Sequence, residues 1–182
     1  MHLEVEQKFW VDSLAAFREL LVHRGATLGE TVLQIDEYFA HPSRNFAQTD
    51  EALRIRRVGD QNFITYKGPR LDSATKTRRE IELPVSSGEA GFHALEELLV
   101  ALGFTPVAAV HKQRQAAQLV RNDQAILVAL DHVEGLGEFV ELEMEASVAT
   151  VDSARDLIAA LARELGLLRA ERRSYLELLL SA

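Results

Sequence analysis

The feature that most constrains this chain is an alternation that places charge on one face of strand after strand. "HLEVEQKFW" opens it near the N-terminus. At a period of two, Leu3, Val5, Phe9 and Val11 share one side with Gln7, while His2, Glu4, Glu6, Lys8 and Trp10 share the other. Further on, "LRIRR" sets Arg54 and Arg56 against Leu53 and Ile55, and "FITYKG" puts Lys67 with Phe63 and Thr65. "RREIEL" aligns Arg78, Glu80 and Glu82 against Ile81 and Leu83, and "VHKQRQ" aligns Lys112 with Arg114. "ILVALD" ends on Asp131, and "EFVELEME" places Glu141, Glu143 and Glu145 opposite Val140, Leu142 and Met144.

An antiparallel sheet with one wet side also alternates in this way. Two details point instead to an enclosed charged face. Exposed strand faces mix Thr, Ser and Gln among their charges, whereas these faces are dense in Arg, Lys and Glu. Acids and bases are also segregated by strand, Arg54 with Arg56 and Glu141 with Glu143. Like charges two positions apart on a strand lie roughly 6.6 Å apart and repel by about 0.6 kcal/mol in water, but about 2.5 kcal/mol at an effective dielectric of 20. An exposed pair is therefore cheap, and an enclosed pair needs an opposite partner. Closing the sheet into a barrel supplies one.

Leaving out Glu145 at its strand's end, seven bases (Lys8, Arg54, Arg56, Lys67, Arg78, Lys112, Arg114) face seven acids (Glu4, Glu6, Glu80, Glu82, Asp131, Glu141, Glu143). Clustering by strand leaves a basic zone and an acidic zone. A polyphosphate bridged to divalent cations matches both, since guanidinium and ammonium groups take phosphate oxygens and carboxylates hold Mg²⁺ or Mn²⁺.

Helices punctuate the strands. "DSLAAFRELLVHRG" carries Leu14, Phe17, Leu20 and Leu21 at helical spacing, with Asp12 or Ser13 to cap it and Gly25 to end it. Strands are predicted near 31–40, 51–58, 62–68, 77–85, 107–120, 125–133 and 138–146, with turns at "GDQN" and "EGLG" and a polar loop at "PRLDSATK". A second helix is predicted over about 88–102, and two more over "SARDLIAALARELG" and "ERRSYLELLL". A faint duplication shows where two helices each lead through a short glycine-containing stretch into a strand. The expected class is α+β, an eight-stranded antiparallel barrel with flanking helices, as one domain over 1–182.

At 182 residues the chain can bury a sizeable core, and its net charge of −8 argues against sequence-independent binding to nucleic acid or anionic membrane. The absence of cysteine excludes disulfides, thiolate zinc sites and a cysteine nucleophile. With no apolar run of about 20 residues and a strand beginning at residue 2, a cytoplasmic protein is expected. The six histidines show no ligand pairing.

The E-x-E-x-K spacing of Glu4, Glu6 and Lys8 resembles the opening motif of the CYTH superfamily, named for CyaB-type adenylate cyclase and thiamine triphosphatase. "DEYF" (36–39), "LRIR" (53–56), "YKGP" (66–69), "RREIE" (78–82), "HKQR" (111–114), "LDHVEGLGEFVELE" (130–143) and "RRSYLELL" (172–179) follow in the family's order. The resemblance implies a tunnel open at both ends that binds a triphosphate lengthwise. It implies metal ligands at Glu4, Glu6, Glu141 and Glu143, with Asp131 added to that set. It implies phosphate contacts from Lys8, Arg54, Arg56, Lys67, Lys112 and Arg114, with Arg78 added. Lys67 or Glu80 would assist proton transfer, whereas Asp36, Tyr38 and Tyr175 read as packing residues. "GLGEFVELE" together with "RSYLELL" is similar to the class IV adenylate cyclase branch, but "RLDSATKTRREIELPV" departs from that branch's stretch after "KGP". Cyclisation of ATP, hydrolysis of an inorganic, nucleoside or thiamine triphosphate, and polyphosphate sensing without turnover therefore all stay open, as does a homodimer.

Overall fold

The computed structural model describes residues 3–69 and 77–181. In chain order its elements are β1 (Leu3–Trp10), α1 (Leu14–His23), β2 (Thr27–Ala40), α2 (Phe46–Thr49), β3 (Ala52–Val58), β4 (Gln61–Lys67) and β5 (Arg78–Val85). They continue as α3 (Gly88–Ala101), β6 (Thr105–Arg121), β7 (Gln124–Val133), β8 (Gly137–Ala146), α4 (Val151–Glu164), β9 (Ala170–Glu171) and α5 (Tyr175–Leu180).

The strands pair antiparallel in the order β5-β4-β3-β2-β6-β7-β8-β1, and β5 returns to β1 through Leu3↔Arg79 and Glu4↔Arg78. This is the closed eight-stranded barrel that the alternation implies. The short β9 lies beside the far end of the same β1 edge, pairing Lys8↔Glu171 and Phe9↔Ala170.

Most of the apolar core lies outside the barrel, while a smaller cluster of Tyr38, Val110, Val133 and Phe139, on the inner face, packs with Tyr175 and Leu178 of α5. Val5, Leu119, Ile126, Val128, Val140 and Leu142 face outward and are covered by Leu14, Phe17 and Leu21 of α1 and by Ile158 and Leu161 of α4. On the other flank α3 lays Phe92 and Leu99 over Phe39, Leu53 and Ile55. Each helix buries one stripe, which is why its apolar residues recur three and four positions apart. Ser13 caps α1 by accepting a hydrogen bond from the Ala16 amide, and Gly25 ends it at φ +81. Gly59, at φ +58, opens the tight β3–β4 turn.

The structure departs from the sequence reading in three places. A helix expected over residues 171–180 begins only at Tyr175. Glu171 accepts hydrogen bonds from the Arg173 amide and guanidinium and from Trp10 Nε1, which holds 171–173 out of the helix. Ser174 and Glu177 then form a reciprocal capping box. The four-residue α2 was not anticipated, being too short to show a period. β2 starts at Thr27 because the strand continues through an irregularity between Leu28 and Thr31. Most of the "PRLDSATK" loop (70–76), like His2, lies outside the described residues.

Ile158 is fully buried between α4 and the barrel wall. Ile158→Ala should lower stability by about 2–5 kcal/mol, read as an earlier denaturation midpoint with an unchanged slope.

Candidate active site

The barrel encloses a cavity of about 970 Å³ whose walls carry nearly all the predicted charged residues. Period two puts Glu4, Glu6 and Lys8 of β1 inside, together with Arg54 and Arg56 of β3, Lys67 of β4, and Arg78, Glu80 and Glu82 of β5. Lys112 and Arg114 of β6 and Glu141 and Glu143 of β8 complete the lining. Asp131 does not line the cavity; it is fully buried behind Arg114.

The cations are held from behind. Asp36, 1% exposed, sits directly across from Arg56 and takes its Nε at 2.6 Å and its Nη2 at 2.7 Å. The same carboxylate accepts from Arg54 Nη1 at 3.3 Å and lies 3.8 Å from Lys112 Nζ. Burial alone would raise its pKa, but Arg54, Arg56 and Lys112 outweigh that and hold it well below the usual carboxylate range. Asp131 does the same for the next pair of strands. It lies across from Arg114, takes its Nε at 2.7 Å and Nη2 at 2.6 Å, and sits 3.7 Å from Lys112. Asp131 also accepts the Tyr175 hydroxyl at 2.9 Å. The Tyr175 ring in turn faces two ammonium groups, Lys8 at 3.9 Å and Lys112 at 5.1 Å from its centroid. Burial, with Arg114 and Arg56 nearby, pushes the Lys112 ammonium down to about 8.

Opposite this basic wall is an acidic one. Glu6 and Glu143 are direct cross-strand neighbours between β1 and β8, and Lys8 faces Glu141. Like charges so placed destabilise a sheet unless something neutralises them. Arg114 does so in part, reaching Glu143 at 3.2 Å and also contacting Glu141. Even so, burial and the charges of Glu4, Glu141 and Glu6 push Glu143 up to about 8 against the pull of Arg114. Where the two walls meet, Lys67 lies 2.6 Å from Glu80 and 3.1 Å from Glu4. Burial and its hydrogen bond to Glu80 raise Glu4. Glu80 goes the other way: against its burial, that hydrogen bond and the charges of Lys67 and Arg54 draw it down to about 2. Lys67 is pushed above its ordinary value, Glu4 and Glu80 outweighing its burial, so it stays charged.

Glu4 and Glu6 of β1 and Glu141 and Glu143 of β8 are hard-oxygen groups of the kind that could hold a divalent cation. Among the described residues no three acid or imidazole side chains already converge on a metal position; Arg114 contacts Glu141 and Glu143, and Lys67 contacts Glu4.

Sequence reasoning underweighted Asp36 and Tyr175. The alternation of "DEYF" does put Asp36 on the inner face, but only the strand register reveals that it faces Arg56.

Comparison with known proteins agrees with this geometry. The model of the CYTH domain matches residues 2–175. This chain belongs to the CYTH family. It is similar to a Methanocaldococcus jannaschii protein named "Putative adenylate cyclase", with 35% identity over 97% of this chain and 98% of that one. It is also 31% identical to the adenylate cyclase CyaB of Aeromonas hydrophila, over 94% of this chain and 86% of the relative. Among solved structures, the PH1819 protein of Pyrococcus horikoshii superposes with a TM-score of 0.85 at 38% identity, covering 98% of each chain.

Two predictions follow from the charge network. Asp36→Asn leaves Arg54 and Arg56 short of their buried carboxylate and should cost about 3–5 kcal/mol, measured by denaturant unfolding. The second concerns Glu143. Between about pH 5 and pH 8 the folded protein keeps a proton on this group that the unfolded chain has released, so metal-free stability should fall as pH rises through that window. Mg²⁺ or Mn²⁺ should therefore raise the melting temperature more at the upper end of that window than at the lower, and Glu143→Gln should flatten both effects.

Proposed function

We propose that this protein is a divalent-metal-dependent enzyme that acts on a triphosphate held along the barrel, with ATP converted to cyclic AMP and pyrophosphate. The observation that supports this most is the pairing of two opposed walls in one cavity: Arg54, Arg56, Lys67 and Lys112 on one side, and Glu4, Glu6, Glu141 and Glu143 on the other. A chain of phosphates matches the first wall and its bound cations match the second. The names of the adenylate cyclase relatives favour ATP as the substrate.

In this reading Lys8, Arg54, Arg56, Lys67, Arg78, Lys112 and Arg114 bind phosphate oxygens. Bound Mg²⁺ or Mn²⁺ on Glu4, Glu6, Glu141 and Glu143 would neutralise phosphate charge and acidify the nucleophile. Asp131, its oxygens engaged by Arg114 and Tyr175, positions the cations rather than a metal. Lys67 stays charged and steadies the phosphates, and either Lys67 or Glu80, 2.6 Å from it, assists proton transfer. In the cyclase reaction the ribose 3′-hydroxyl attacks the α-phosphorus and pyrophosphate departs. Positioning and charge neutralisation supply the rate in either case.

A second reading is hydrolysis, with water attacking the terminal phosphorus. It is favoured by the stretch after Pro69, which departs from the pattern of the cyclase branch.

The deciding experiment offers the purified protein ATP or inorganic tripolyphosphate, each with Mg²⁺ or Mn²⁺, and identifies the products. Cyclic AMP with pyrophosphate is expected; orthophosphate instead would make the protein a triphosphatase. Glu4→Gln and Arg54→Ala should each abolish turnover while circular dichroism stays unchanged. Full activity in both would overturn the assignment of this cavity.

A further inference from the structure

We infer that Gln34 is a further phosphate contact of the cavity, an uncharged donor set among the cations of the basic wall. The inference rests on the triphosphate reading above and adds a residue to its binding set. Gln34 lies on the inner face of β2, two positions before Asp36, and lines the cavity together with Arg56, Lys112 and Arg114. Register places it directly across from Lys112 of β6. Its neighbours on the same face, Asp36 and Val32, lie across from Arg56 and Arg114. Three cations assigned to phosphate therefore surround one carboxamide.

Gln34 is 9% exposed, yet its Oε1 is enclosed without a hydrogen-bond partner among the described residues. Buried amides are nearly always satisfied, because an unpaired one costs stability. The neighbours show why this one is not. Arg56 directs Nε and Nη2 to Asp36, and Arg114 directs Nε and Nη2 to Asp131, so those donors are turned away from Gln34. With Oε1 enclosed in the wall, the NH2 is the end of the amide left to meet the cavity. There it can donate to a phosphate oxygen that the surrounding cations hold in place.

A neutral donor fits this position for an electrostatic reason. A lysine or arginine at residue 34 would stand directly across from Lys112, where like charges on paired strands repel. A glutamate there would pair with Lys112 and repel the ligand. The amide adds a hydrogen bond to phosphate while leaving the charge of the wall unchanged. A group that lowers the stability of the free protein and is satisfied only by the ligand is what a binding site, rather than a core, retains.

The test turns on effects of opposite sign. Gln34→Met keeps the length of the side chain and removes its hydrogen-bonding groups. Because the unpaired amide goes with them, the melting temperature should stay unchanged or rise. Affinity for the bismethylene analogue of tripolyphosphate, which cannot turn over, should fall by about tenfold when titrated calorimetrically with Mg²⁺. Gln34→Glu, which sets a carboxylate against the same phosphates, should weaken the analogue further. A lower melting temperature in Gln34→Met, whatever its affinity, would make the residue a packing group and overturn the contact. Equal affinity in Gln34→Met and wild type would overturn it too, and would leave the tunnel reading standing. Failure of wild type to bind the analogue would overturn the tunnel reading, and the contact with it.

Discussion

Asp36 and Asp131 are the two charges on which the rest of the site depends. Each is at most 1% exposed, each lies across a strand pair from an arginine, and each takes that arginine in a two-pronged contact. Removing water from Arg54, Arg56, Lys112 and Arg114 without these carboxylates would leave a cluster of like charges in a low-dielectric interior. With them, the guanidinium planes are locked while outward-facing N–H groups still reach the cavity. Lys112, shared between the two aspartates at 3.8 and 3.7 Å, ties the halves of the basic wall together.

That arrangement explains why the barrel is inside-out relative to an ordinary globular core. With much of the interior charged, the hydrophobic effect must act mainly on the outer surface, and helices must cover it. α1 and α4 do so over β1, β7 and β8, and α3 over β2 and β3. Stability and chemistry are thus divided between the two faces of the same strands. Val5 and Leu142 serve one, and Glu4, Glu6, Glu141 and Glu143 serve the other.

The two walls differ in how completely they are compensated. The basic wall is supported by carboxylates at hydrogen-bonding distance. On the acidic wall Glu6 and Glu143 stand opposite each other and Glu143 shares Arg114 with Glu141; burial and the charges of Glu4, Glu141 and Glu6 push Glu143 up toward neutrality against the pull of Arg114. An interior pre-neutralised on one side and short of positive charge on the other is matched to a ligand that brings anions and cations together.

Much of this was legible in the linear chain, because the period of a strand is a local property. Successive side chains must point to opposite faces, so "EVEQK", "RIRR" and "ELEME" identify the inward charges and imply closure without reference to any distant residue. Motif order did the same for the family. The caps at Ser13 and Gly25 were also visible, since capping involves only the nearest turn. What could not be read is whatever depends on register and on elements far apart in sequence. Asp36 shares an inner face with its own strand's neighbours, but its pairing with Arg56 follows from how β2 aligns with β3. Tyr175 reaches Asp131, Lys8 and Lys112 only because α5 inserts into a barrel whose closure brings β1, β6 and β7 together. The sequence by itself determined which side chains are charged and which way each strand turns them. The tertiary structure alone decided which acid meets which base, because cross-strand register is set by turns and packing across the whole ring.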